Sequence, residues 1–256
     1  MNRLPPAPVV RYGEHPDQVA NLHRPARGGP WPVVVLLHGG FWRAGWDRTL
    51  MTQVARDLAA SGFLVWNAEY RRIGQDGGGW PGTLLDAAAA IDAIATIEEA
   101  DLDRIAVVGH SAGGHLALWL AGRGRLPSGA PGAGAHVRPR LAVSLAGVAD
   151  LVAGAEGGLG TGACEALLGG SPQEVPERYA AASPTALLPL GVSQLLVHGA
   201  RDDIVPPSQS STYAARAVAA GDHVELVVLP QADHFDVIEP RHEAWDVVLA
   251  RLASLS

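Results

Sequence analysis

The chain has 256 residues, 48% of them hydrophobic and 18% charged, which suits one continuous core and argues against a disordered chain. Its net charge of −7 comes without any run of Lys or Arg, so phosphate-backbone contacts have no supply and a nucleic-acid partner is not expected. Cys164 is the single cysteine, so no intrachain disulfide can form.

The opening MNRLPPAPVV places two prolines where a signal peptide needs its apolar core, and no apolar run nears the roughly 18 residues of a membrane span. The expectation is a cytoplasmic protein without a membrane span. Residues 1–31, rich in Pro, Arg and Gly, are expected to form an irregular or short antiparallel lead-in. Val33 to Leu37 is a continuous β-branched run, as a strand covered on both faces requires. Asp47 to Ala60 has helical spacing, with Asp47 as N-cap and Gly62 just past the end. Phe63–Ala68 is the next expected strand, Gly82–Ile97 an Ala-rich helix, Arg104–Val108 a buried strand and Ala112–Ala121 a helix directly after it.

Residues 122–139 carry no period and are expected to loop. Strands are expected at Leu141–Leu145, Gln194–Val197 and Val224–Leu229, with helices at about Ser208–Ala219 and Arg241–Leu252. Strands alternating with helices imply an α/β, doubly wound, mostly parallel sheet with helices on both faces. Residues 150–190 break that rhythm and are expected to form a small cap insertion, so that residues 1–256 make one domain.

Gly109-His110-Ser111-Ala112-Gly113 matches G-x-S-x-G between an expected strand and an expected helix, the context that gives this motif meaning. The turn projects Ser111 at the carboxyl end of its strand, where open α/β sheets place their sites. His38-Gly39-Gly40-Phe41-Trp42 follows the first strong strand. Acyl transfer needs donors aimed at a developing oxyanion, and backbone N–H groups supply them without reorganisation. Gly40, Phe41 and Ala112 are the candidate oxyanion-hole donors.

HGGFW resembles the HGGxW motif of kynurenine formamidases and the HGGG motif of hormone-sensitive-lipase-like esterases, and GHSAGGHLA resembles the nucleophile segment of the same group. Glu69-Tyr70-Arg71-Arg72 and Trp80-Pro81 stand where those esterases carry a DYR segment and an aromatic-Pro pair. The resemblance runs from about residue 33 to 239 and implies the α/β-hydrolase fold. HGARDDIVP, residues 198–206, resembles the HGxxDxxVP segment of many α/β-hydrolases. That register makes Asp202 the acid that orients the base, with Asp203 as its rival in the role of a solvated turn carboxylate. Asp233-His234-Phe235-Asp236 follows the last strand, where this fold carries its histidine, and it resembles the formamidase segment around the base.

The implied catalytic set is therefore Ser111, Asp202 and His234, acting on a small-molecule ester or amide through an acyl-enzyme, with no metal and no cofactor. A carboxylesterase is the first expectation and an arylformamidase, favoured by HGGFW and DHFD, the alternative. A peptidase ranks lower because no propeller or gating domain is evident, and a non-catalytic binding protein lower still because every triad position is filled. Trp42, Trp80 and His110 are candidate substrate-binding residues, with Trp46 beside them. His38, His110 and His198 are expected to fix backbone, Arg71 to anchor a loop by ion pairing, and Cys164 to be buried. His223, ahead of a strand, and His242, inside the terminal helix, are not expected at the site. Oligomeric state has no signature in the sequence.

Overall fold

A computed structural model describes residues 7–26 and 28–255; the first six residues of the expected Pro-rich lead-in lie outside them. Strands β1 (Val9–Arg11) and β2 (Val19–His23) form an antiparallel pair, and β2 continues antiparallel onto the strand Leu64–Ala68. The chain then runs through β3 (Trp31–Leu37), helix α1 (Thr52–Ala60), β4 (Leu64–Ala68), α2 (Gly82–Asp92), β5 (Ala100–His110) and α3 (Ala112–Gly122). It continues through β6 (Leu141–Leu145), the short helices α4 (Leu151–Glu156), α5 (Ala163–Leu168) and α6 (Pro176–Ala182), β7 (Ser193–Gly199), α7 (Ser208–Ala219), β8 (Val224–Leu229) and α8 (Glu243–Leu252). The eight strands stand in the order β1-β2-β4-β3-β5-β6-β7-β8, and β4, β3, β5, β6, β7 and β8 are mutually parallel. This is the doubly wound, mostly parallel sheet that the strand–helix alternation predicts, and it is consistent with the α/β-hydrolase fold that the resemblance implies.

The β-branched run of β3 shows why the sheet is buried on both sides. Val33, Val35 and Leu37 join a core with α2, α3 and α7, whereas Val34 and Leu36 join a second core with α1 and α8. Successive side chains on a strand point to opposite faces, so an uninterrupted apolar run serves two cores at once. Full burial of each such side chain contributes about 1.5–3 kcal/mol relative to exposure.

Differences from expectation fall at β5, which spans Ala100–His110 where only its buried half, Arg104–Val108, is expected, and at helix ends. The helix expected from Asp47 opens as a 3₁₀ turn, Arg48–Met51, with the Asp47 carboxylate accepting from Thr49 N–H as its cap. The Ala-rich helix expected to Ile97 is α-helical only to Asp92 and continues as the 3₁₀ turn Ala93–Thr96. The terminal helix begins at Glu243, and His242 is its N-cap, accepting from Ala244 N–H at 3.2 Å, rather than an interior residue. A short helix-like turn costs little, because its first N–H groups need outside partners in any case. Among the described residues no helix is long and apolar enough to cross a membrane.

Candidate active site

The turn after β5 is built by glycines that have no room for a side chain. A Cβ on Gly109 would overlap the Gly113 carbonyl, and one on Gly113 would lie 2.6 Å from the His38 carbonyl oxygen, against the neighbouring loop. Gly114 packs against Gly147 and Ser144 in the same way. Ser111 between them has φ 54° and ψ −116°, a left-handed conformation that costs a non-glycine residue about 1–3 kcal/mol. It is held there by Ser111 N–H on the Leu145 carbonyl (2.8 Å) and by its own carbonyl accepting from His115 N–H (3.1 Å). The strain aims Ser111 off the strand end into a cavity.

The loop after β3 reaches the same cavity through a second left-handed stretch. Gly40, Phe41 and Trp42 have φ of 114°, 51° and 55°. Gly40 accepts from Arg43 N–H and Trp42 from Ile73 N–H, which pins the turn. Among the described residues no turn or loop hydrogen bond takes the N–H group of Gly40, Phe41 or Ala112.

Asp202 and His234 come from the loops after β7 and β8, adjacent parallel strands. His234 Nδ1 donates to Asp202 Oδ2 at 2.6 Å, with both side chains buried. Asp202 Oδ1 accepts from the N–H groups of Ile204 and Val205 at 2.9 and 2.8 Å. His198 Nε2 lies 3.2 Å from Oδ2, while its Nδ1 meets the Ser210 hydroxyl. Burial raises the Asp202 pKa, but hydrogen bonds from His198, His234 and Val205 outweigh it and hold the carboxyl well below the usual carboxylate range. Asp203, the rival, is exposed to solvent. With Nδ1 committed to Asp202, the Nε2 lone pair of His234 is the ring's remaining proton acceptor. His234 and Ser111 line one cavity, and no hydrogen bond joins the serine hydroxyl to the ring among the described residues.

That cavity has a volume of about 70 Å³ and is walled by Gly40, Phe41, Trp46, Leu50, His110 and Ile204, with Phe235 at its lip. Phe235 and Trp46 are 41% and 46% exposed, and their rings stand 6.2 Å apart across the opening. A larger depression of about 560 Å³ between α4, α6 and α7 contains none of these groups, and its Asp150 and Arg216 are already paired with each other at 2.9 Å. The candidate nucleophile and base line the smaller space.

The structure brings Ser111, His234, Gly40, Phe41 and His110 to the cavity and sets Asp202 behind His234. It does not bring Trp42 or Trp80 there. The two consecutive left-handed residues turn the Trp42 ring into the core, where it is fully buried and donates from Nε1 to His115 Nδ1 at 3.2 Å. Trp80 packs beside α5, with its N–H on the Leu167 carbonyl. Trp46 takes the lining position instead. His110 lines the wall but also donates from Nε2 to the His234 carbonyl at 2.9 Å, and burial, with the charge of His234 adding, holds its ring down to about 3. Arg71 pairs with Asp86 through Nε and a terminal nitrogen, and Cys164 is fully buried. Leu50, Ile204 and Phe235 went unmarked in the sequence, although Phe235 sits directly beside His234.

A family profile described as BD-FAE matches residues 21–216. Esterase LipC of Mycobacterium tuberculosis is 29% identical in an alignment that covers 90% of this chain and 60% of that protein. Among solved structures, a truncated carbohydrate esterase from gut microbiota aligns with a TM-score of 0.82 at 18% identity, covering 96% of this chain and 94% of the other. A thermophilic esterase of the Planctomycetes species Thermogutta terrifontis with propionate bound aligns with a TM-score of 0.76 at 23% identity, covering 98% and 94%. These alignments show that the fold is shared.

Proposed function

The chain belongs to the BD-FAE family, and on that footing we propose that it is a serine hydrolase that cleaves small carboxylic esters. The observation that carries this reading is the 2.6 Å bond from Nδ1 of His234, which lines the same cavity as Ser111, to a buried, anionic Asp202 behind it. In the proposed reaction His234 Nε2 takes the Ser111 proton as Oγ attacks the ester carbonyl. The N–H groups of Gly40, Phe41 and Ala112 hold the oxyanion, and His234 returns the proton to the leaving alcohol. Water, activated by the same ring, then releases the acid and restores Ser111. Asp202 keeps the imidazole in the tautomer that leaves Nε2 free and stabilises the imidazolium while it carries the proton.

The volume of the cavity supports a short acyl group. About 70 Å³ lies well below the roughly 300–1,000 Å³ of pockets that enclose drug-sized ligands. The names of the relatives, esterase and carbohydrate esterase, support ester cleavage in this chain too. We read residues 1–256 as one domain in which 150–190 form a short cap that braces the site from its rim. Gly160 packs against the Phe41 ring, and Arg43 donates to the Thr161 carbonyl at 3.0 Å.

The test is a comparison of kcat/KM on p-nitrophenyl acetate, butyrate and octanoate with that on N-formylkynurenine. Acetate and butyrate are expected to exceed octanoate by at least about tenfold, since each misplaced methylene costs about 1–3 kcal/mol. A formamide rate above every ester would replace the ester reading with the arylformamidase one.

A further inference from the structure

We propose that His38 and Glu69 form a second histidine–carboxylate pair whose task is to aim the oxyanion-binding loop. The proposal rests on the reading of Gly40 and Phe41 as oxyanion donors. Glu69 is 1% exposed and His38 is fully buried, yet among the described residues no side-chain hydrogen bond joins either to the candidate triad. The His38 ring lies between two oxygens: Nδ1 is 2.7 Å from the Gly39 carbonyl and Nε2 is 2.7 Å from Glu69 Oε1. A carbonyl only accepts, so Nδ1 carries a hydrogen and donates it to Gly39. The contact on the far side with a carboxylate then needs a second proton between Nε2 and Oε1.

The consequence for the loop follows from peptide planarity. In a trans peptide the C=O and N–H vectors point opposite ways. Holding the Gly39 carbonyl on His38 therefore turns the Gly40 N–H away from the ring, and Gly40 lines the cavity at Ser111. The Gly39 peptide could otherwise flip easily, since glycine has access to both hands of backbone conformation. The Tyr70 hydroxyl fixes the preceding peptide by donating to the His38 carbonyl at 2.8 Å, and its ring stacks on His38 with centroids 4.3 Å apart.

Glu69 also reaches the opposite wall. Its Oε2 accepts from Arg48 N–H at 2.9 Å, and Arg72, 3.4 Å from Oε1, donates to the Trp46 carbonyl. One buried carboxylate thus ties the oxyanion loop to the loop that carries Trp46. Burial raises its pKa, but His38, Arg48 N–H and Arg72 outweigh that and keep it below the ordinary glutamate value.

The experiment compares His38→Gln with His38→Asn on p-nitrophenyl acetate, each normalised to titratable active sites, with wild type and Ser111→Ala alongside. An Asn amide nitrogen reaches the place of Nδ1, and a Gln amide nitrogen the place of Nε2. His38→Gln is expected to lower kcat by about 10- to 100-fold with KM within about threefold, because an oxyanion donor acts on the transition state alone. His38→Asn, which keeps a donor for the Gly39 carbonyl but gives up Glu69, is expected to lose less, about three- to tenfold in kcat. Equal losses in both variants, or a change confined to KM, would overturn the pair's positioning role. Should both fail to fold, Tyr70→Phe, which keeps the ring stack but frees the His38 carbonyl, is expected to lower kcat about three- to tenfold at constant KM, and an unchanged kcat would overturn the proposal. An active wild type with both His38 variants unimpaired sinks this inference alone. A wild type that neither turns over nor forms an acyl-enzyme sinks the ester reading, and the inference with it.

Discussion

Replacing His234 with Gln is expected to lower kcat on p-nitrophenyl acetate by a factor on the order of 10⁵–10⁶ while leaving KM within a few-fold. Glutamine fills similar space but cannot take a proton from Ser111, so the loss falls on the chemical step. Asp202 would keep the N–H groups of Ile204 and Val205 and the nearby His198 ring, so no wholly unpaired buried carboxylate is created. The melting temperature should therefore fall by only a few degrees, and circular dichroism should remain that of the wild type. Initial rates with a melting curve on the same sample separate the two effects. Turnover within tenfold of wild type would remove His234 from the proposed role of base.

The second large effect concerns the turn itself. Gly109→Ala is expected to destabilise the chain by at least about 3 kcal/mol and to abolish turnover, because the new Cβ overlaps the Gly113 carbonyl and falls 2.7 Å from the Gly114 nitrogen. Both obstacles are backbone atoms, which cannot swing aside as a flexible side chain could. Gly45→Ala is the control: its Cβ would meet nothing within 4 Å, so its change should stay within about 0.5 kcal/mol, as at ordinary surface sites. Urea unfolding of the two variants measures the difference. Equal stability would mean that the tight strand-to-helix geometry is not what places Ser111.

The sheet was legible because its central strands are covered on both faces. Apolar runs such as residues 33–37 of β3 and 105–108 of β5 leave little ambiguity about burial, and Ser111 and Asp202 lie in loops past such runs, whereas His234 follows the edge strand β8, where Glu225 interrupts the pattern. The walls of the cavity were harder to read. HGGFWRAGW offers Phe41, Trp42 and Trp46 for one small space, and only the left-handed φ of Phe41 and Trp42 decides that Trp42 turns inward and Trp46 faces the opening. A positive φ at two consecutive non-glycine residues has no sequence signature, since tertiary contacts impose it. The His38–Glu69 pair was hidden for another reason. Leu37 pairs with Ala68 across β3 and β4, which sets the next residues, His38 and Glu69, side by side at the strand ends. Two polar residues that each follow a buried strand are a visible signal, but their partnership depends on a register that neither segment specifies alone.

The measurement that bears most directly on the proposed chemistry is intact-mass detection of a fluorophosphonate adduct, followed by peptide mapping, on wild type and Ser111→Ala. A serine nucleophile at the strained turn predicts one adduct per wild-type chain, located on Ser111, and none on the variant. An unlabelled wild type, or equal labelling of both proteins, would contradict the assignment of Ser111 as nucleophile and with it the acyl-enzyme mechanism.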